Sequence, residues 1–151
     1  MDPDHPISSF GAMLRIAMGE ALAEDAGDDV LAMCAEDIVF EFPYAPEGAV
    51  AHLRGKDRMR AYLARIGPLL DFDGLSHPVV HRVKGGACFI LEFSCKGRGA
   101  AGAYDQVYIS VITLKEGRIR LYKDYWNPSV LLKAIGGAEV LRAHMQGFAA
   151  D

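Results

Sequence analysis

One carboxyl stands out by its neighbours. Asp124 lies in the run Tyr122-Lys123-Asp124-Tyr125-Trp126, whose aromatic residues favour a strand. Side chains alternate across a strand. Arg118, Arg120, Tyr122, Asp124 and Trp126 therefore share one face, and Ile119, Leu121, Lys123 and Tyr125 the other. An Asp between Tyr and Trp in an apolar cavity is poorly solvated, and its pKa rises. Such a carboxyl can move a proton to or from a carbon beside a carbonyl near neutral pH. Burial is equally compatible with a carboxyl that hydrogen-bonds a neighbouring Tyr or a backbone N–H and only shapes the cavity.

Tyr62 is the second candidate. It falls on the apolar stripe Met59, Tyr62, Leu63, Ile66 of a helix expected over 56–66. Its hydroxyl could donate to a substrate oxygen, or it could be a core aromatic with a satisfied hydroxyl. Other groups offer less. His77 and His81 share a strand face but stand ~13 Å apart at ~3.3 Å rise per residue, too far to share a metal. Gly97, Gly99 and Gly102 lack the strand-to-helix setting of a phosphate loop. Cys34, Cys88 and Cys95 are odd in number and form no C-x-x-C, so burial is their expected role. No metal site is expected, and no organic cofactor is signalled.

The rest of the chain has to position these groups. Its 151 residues suit one domain, and 51% are apolar, enough for a sizeable core. With a net charge of −4 and scattered Lys and Arg, there is no basic face for nucleic acid or an anionic membrane. No apolar run is long enough to span a bilayer, and the start MDPDHPISSF does not read as a signal peptide. A cytoplasmic protein is expected.

Residues 1–9 read as a tail, and 10–151 as one domain. Phe10, Met13, Leu14, Ala17, Met18, Ala21 and Leu22 repeat at helical spacing, with Ser8 or Ser9 to cap the start and Gly27 to end the helix. A short helix capped by Asp28 follows, then a strand at 38–42. Gly67-Pro68 stops the helix over 56–66. Strands follow at about 75–83, 87–96, 104–115 and 118–126, with turns at Gly85-Gly86 and Glu116-Gly117. Asn127-Pro128 starts a short helix, and Val140, Leu141, His144, Met145 and Phe148 mark a last one. Strands in succession after helices indicate an α+β fold with an antiparallel sheet.

From Tyr104 the chain reads Tyr-Asp-Gln-Val-Tyr-Ile, then Leu-Lys-Glu-Gly-Arg-Ile, then Tyr-Lys-Asp-Tyr-Trp-Asn-Pro. With Phe-Glu-Phe-Pro at 40–43 and Arg-Gly-Lys-Asp at 54–57, it resembles SnoaL-like polyketide cyclases and the phenazine biosynthesis A/B proteins, over residues 10–136. The resemblance implies the cone-shaped fold of nuclear transport factor 2-like (cystatin-like) proteins. There, a curved sheet wraps N-terminal helices and a pocket opens between them. It implies that Tyr122, Asp124 and Trp126 face inward, with Asp124 as acid or base. Tyr62 falls near a site His of the phenazine proteins, while Phe40 and Phe42 would line the cavity and His52 would sit in a loop at its mouth. A small apolar or polycyclic carbonyl ligand and a homodimer are expected. The outer face, which would form the subunit contact, is expected to carry Tyr104, Gln106, Tyr108, Ser110 and Ile112, with Leu121 and Tyr125. Ketosteroid isomerase activity is not expected, because Phe42, Glu20 and Ile109 fall near its base, its Tyr and its protonated Asp. The fold also hosts non-enzymes, so a ligand-binding or dimerisation domain is the alternative to a cofactor-free isomerase or cyclase.

Overall fold

The computed structural model describes residues 5–148. Its helices are α1 (Phe10–Met18), α2 (Val30–Met33), α3 (Lys56–Ile66), α4 (Pro128–Ile135) and α5 (Ala138–Met145). Its strands are β1 (Cys34–Glu41), β2 (His52–Arg54), β3 (Leu70–Leu75), β4 (Val79–Arg82), β5 (Cys88–Gly99), β6 (Gly102–Ala103), β7 (Gln106–Lys115) and β8 (Arg118–Trp126). One curved, unclosed sheet runs β2-β1-β8-β7-β5-β3, with β4 and β6 also paired to β5. The chain is α+β, as expected. The sheet is mixed rather than wholly antiparallel, because β1 pairs parallel with β8.

Local chemistry explains several boundaries. Ser9 caps α1 by accepting from the Ala12 N–H. The helix stops at Gly19, at φ 42°, well before Gly27, and Gly19–Ala21 continues as a 3₁₀ turn. Asp29, not Asp28, caps α2. Of the strand expected at 75–83, only Leu75, the end of β3, and Val79–Arg82, β4, are strand; Ser76-His77-Pro78 interrupts them, Pro78 having no N–H for a ladder, and the rest of β3 lies outside the expected span. Residues 5–9 are not a free tail. Ile7 is buried and exchanges backbone hydrogen bonds of 2.8 Å with Leu75.

Register decides which side chains meet the core. Tyr108 stands opposite Trp126, Ser110 opposite Asp124, and Ile112 opposite Tyr122. Directly opposed residues share a face. Gln106, Tyr108, Ser110 and Ile112 are all buried, as is Tyr104 just before β7. Their expected place on the outer surface is therefore corrected: they face inward. The outer face of β7 carries Val107 and Ile109, 65% and 43% exposed. The register also shifts at Arg120, where Thr113 faces Leu121 but Leu114 faces Ile119. This extra residue breaks the alternation. Ile119 is buried, whereas Arg118 and Arg120 pair with Asp25 and Asp37.

Tight helix packing gives a test of the fold. A Cβ at Gly11 in α1 would lie 2.3 Å from the Asp28 carbonyl oxygen. Gly→Ala inside a helix ordinarily stabilises by roughly 0.5–1 kcal/mol. Here Gly11→Ala is expected to destabilise by roughly 1–3 kcal/mol in urea unfolding, because backbone must shift. Gly67→Ala, with open space around its Cβ and an α-region backbone, is the control expected to be neutral or mildly stabilising.

Candidate active site

Helices and sheet enclose a cavity of about 320 Å³. The inner face of β8 contributes Tyr122, Asp124 and Trp126, and β7 with its preceding loop contributes Tyr104 and Tyr108. Phe40 and Phe42 come from β1 and its end, Tyr62 and Ile66 from α3. Leu131 of α4 and Leu141 and Met145 of α5 close the remaining side. Asp124 is the lone acidic residue in this lining, and no Lys, Arg or His joins it.

Asp124 is half-buried and is held on one side. Its Oδ1 accepts from Ser110 Oγ at 3.0 Å, and Ser110 Oγ accepts from the Tyr122 hydroxyl at 3.1 Å. The Ser110 donor favours the carboxylate, but desolvation is larger and pushes the carboxyl up to about 7. The second carboxyl oxygen has no hydrogen bond among the described residues. Near neutral pH both protonation states are thus populated beside the cavity.

Tyr62 packs against Phe42, with ring centroids 5.4 Å apart, and against Phe148 at 6.2 Å. Its hydroxyl likewise has no hydrogen-bond partner among the described residues. Burial, with repulsion from Asp124, holds its pKa well above that of a free Tyr, so it stays a donor. Phe40 stacks on Tyr122 at 5.4 Å, and Phe42 tilts against Trp126 at 6.4 Å. These packed rings give the site a rigid aromatic wall.

His52 lies elsewhere than expected. It is in β2, paired with Glu41, and does not line the cavity. His144 joins α5 to α3: its Nε2 meets the Arg65 carbonyl oxygen at 2.5 Å, and Arg65 Nε donates to the His144 carbonyl at 2.9 Å. Among the described residues there is no His, Cys, Asp and Glu grouping suited to a metal. Burial pushes the Cys34 thiol up to about 12, away from reactivity. Cys88 is only half-buried.

The sequence reading missed Tyr104, Tyr108, Ser110 and Gln106 as parts of the site. Gln106 is a clamp: its Oε1 accepts from the backbone N–H of Val107 and Asn127, and its Nε2 donates to the Asn127 carbonyl at 2.9 Å. It ties the start of β7 to the end of β8, where Asn127 caps α4. Opposition across the hairpin was the available signal. Counting back from the Glu116-Gly117 turn brings Ser110 near Asp124.

Helices cradled in a curved sheet, with a cavity opening between the two, define the cone-shaped class of nuclear transport factor 2-like proteins. Within it, the chain belongs to the SnoaL-like domain family, which matches residues 16–122 and so ends just before Asp124. The chain is 40% identical to the Bacillus subtilis protein YesE over 105 residues, 68% of this chain and 71% of that one. It is 33% identical to the PhzA/B-like protein PA3332 of Pseudomonas aeruginosa over 111 residues, covering 72% and 78% of the two chains. The crystal structure of a candidate isomerase from Bacillus subtilis is similar at 37% identity, with a TM-score of 0.70, over 85% of this chain and 94% of that one. No helix of the described residues is long and apolar enough to cross a membrane.

Proposed function

We propose that this chain is a cofactor-independent acid–base enzyme of the isomerase, cyclase or dehydratase type, acting on a small uncharged carbonyl compound. One observation carries the reading: a single carboxyl, balanced near neutrality, lines an apolar cavity to which no cationic side chain contributes. In the proposed step the Asp124 carboxylate takes a proton from the carbon beside the carbonyl. The C–H electron pair passes to the carbonyl oxygen as an enolate, held by the Tyr62 hydroxyl. Return of the proton to the same or a conjugated carbon regenerates the carboxylate. Tyr122, Trp126, Phe40 and Phe42 bind the apolar body of the ligand. An anionic ligand would be desolvated beside a carboxylate with no compensating charge, which disfavours acids and phosphates as substrates. The similar structure named as a candidate isomerase agrees with this class.

Deuterium exchange at the carbons flanking the carbonyl of 2-indanone, followed by NMR, tests the reading. Exchange accelerated by the protein should rise through a midpoint near pH 7. The absence of a second acid, base or cation in the lining favours the alternative, a non-catalytic binding protein for apolar ligands. Binding of 2-indanone without any acceleration would decide for that alternative.

A homodimer is part of the proposal, through the outer sheet face. Val107 and Ile109 are exposed there, beside half-buried Val111, Leu121 and Tyr125. Exposed apolar side chains grouped on one sheet face commonly mark a subunit contact. Sedimentation at micromolar concentration should show a dimer, and Val107→Glu with Ile109→Glu should shift it to monomer. A monomeric wild type would remove the interface.

A further inference from the structure

The hydrogen-bond inventory on the β7 side of the cavity closes only on a sulfur. The Tyr104 and Tyr108 hydroxyls meet at 2.9 Å, and both residues line the cavity. Two hydroxyls carry two protons, and the bond between them uses one. Gln106 cannot accept the other, because its Nε2 donates toward Tyr104 and its Oε1 already accepts two backbone N–H groups. Among the described residues the remaining neighbour is the Cys95 sulfur beside Tyr108, a weak acceptor. A strong O–H donor is therefore left in a buried place with only a sulfur to accept it, a poor bond that a carbonyl oxygen would better.

The donor is also rigidly placed. Phe93 stacks on Tyr108 at 5.0 Å, Phe10 meets it edge-on at 5.8 Å, and Phe72 meets Tyr104 at 5.9 Å. Ser110 faces Asp124 across the hairpin, and Tyr108 is two residues from Ser110 on the same strand face. Diagonal neighbours of this kind lie about 7–8 Å apart between Cα atoms. That spacing leaves room for a carbonyl oxygen at the tyrosines while the adjacent carbon approaches the carboxyl.

We infer that the Tyr104–Tyr108 pair is a second hydrogen-bond donor in the cavity, which receives the carbonyl oxygen of the ligand and so selects a ketone over a hydrocarbon of the same shape. This deepens the acid–base reading and rests on it for the carbonyl class. Either hydroxyl can supply the spare proton, so the pair acts as a unit.

The test uses 2-indanone and indane, followed through the indole N–H signal of Trp126, the one Trp of the chain, which lines the cavity. Wild type should bind the ketone about tenfold tighter than the hydrocarbon, the scale of one net hydrogen bond. Tyr104→Phe combined with Tyr108→Phe should lose most of that preference, keeping only what Tyr62 supplies, while binding indane unchanged, which also reports an intact fold. Each single Tyr→Phe variant leaves one hydroxyl with a free proton and should keep most of the preference, a pattern that a packing role would not produce. The inference is overturned if the double variant keeps the preference, if it loses both ligands equally, or if the preference falls only in Tyr62→Phe. Exchange that persists in Asp124→Asn, with the tyrosine effects intact, would instead sink the acid–base reading and leave the donor pair standing.

Discussion

Asp124→Asn is expected to slow protein-catalysed exchange of 2-indanone by roughly 10²–10⁴-fold, the usual contribution of a positioned general base. Asn keeps the shape and can still accept from Ser110, so the cavity should persist and ketone binding should change little. The loss would then fall on turnover and not on affinity, as expected for a group acting in the transition state. Ser110→Ala makes a sharper companion. Ser110 donates to Asp124 at 3.0 Å and so favours the carboxylate. Without that donor the carboxyl should titrate at higher pH, moving the exchange midpoint upward while catalysis survives above it. An unchanged midpoint would mean that the measured ionisation belongs to another group. Full exchange activity in Asp124→Asn would remove Asp124 from the mechanism.

The elements carrying these residues were readable where local chemistry is decisive. Helix α3 spans Lys56–Ile66, as its apolar stripe and Gly67-Pro68 indicate. Helix α4 begins at Asn127-Pro128, with the Asn127 side chain accepting from Ser129. The turn at Glu116-Gly117 is present, with φ 54° and 77° at its two residues. Tyr122, Asp124 and Trp126 do face the cavity, as the resemblance implied.

What failed was the orientation of β7. Alternation groups residues onto faces but does not say which face is inside. Hydrophobicity points the wrong way here: the inner face carries Gln106 and Ser110, while the outer carries Val107, Ile109 and Val111. Polar groups turned toward a cavity and apolar groups left on the surface depart from the usual pattern, so the local rule fails there. The bulge at Arg120 and the parallel pairing of β1 with β8 depend on contacts distant in sequence, which no local pattern encodes. The same blindness hid the tyrosine pair, because its spare proton emerges only after the Gln106 clamp has been counted.

Desolvation of Asp124 also has a thermodynamic signature that needs no substrate. The folded-state pKa, about 7, lies above the ~3.9 of an Asp in an unfolded chain. Between these values the native state binds more protons than the unfolded state, so stability falls as pH rises. The penalty is absent below about pH 4, grows through the interval and levels off above pH 7. Its full size is on the order of 4 kcal/mol, because each pKa unit corresponds to about 1.4 kcal/mol. Asp124→Asn mimics the protonated carboxyl at every pH and should cancel the penalty. Urea unfolding at pH 4 should therefore find the variant and wild type about equally stable, whereas at pH 8.5 the variant should be the more stable. Comparing the two proteins isolates this residue from the other carboxylates, whose titration is common to both. Parallel stability curves would show that the carboxylate is well solvated after all. A solvated carboxylate of ordinary acidity would be a much weaker base toward carbon at neutral pH, so the same result would remove the physical basis of the catalytic reading.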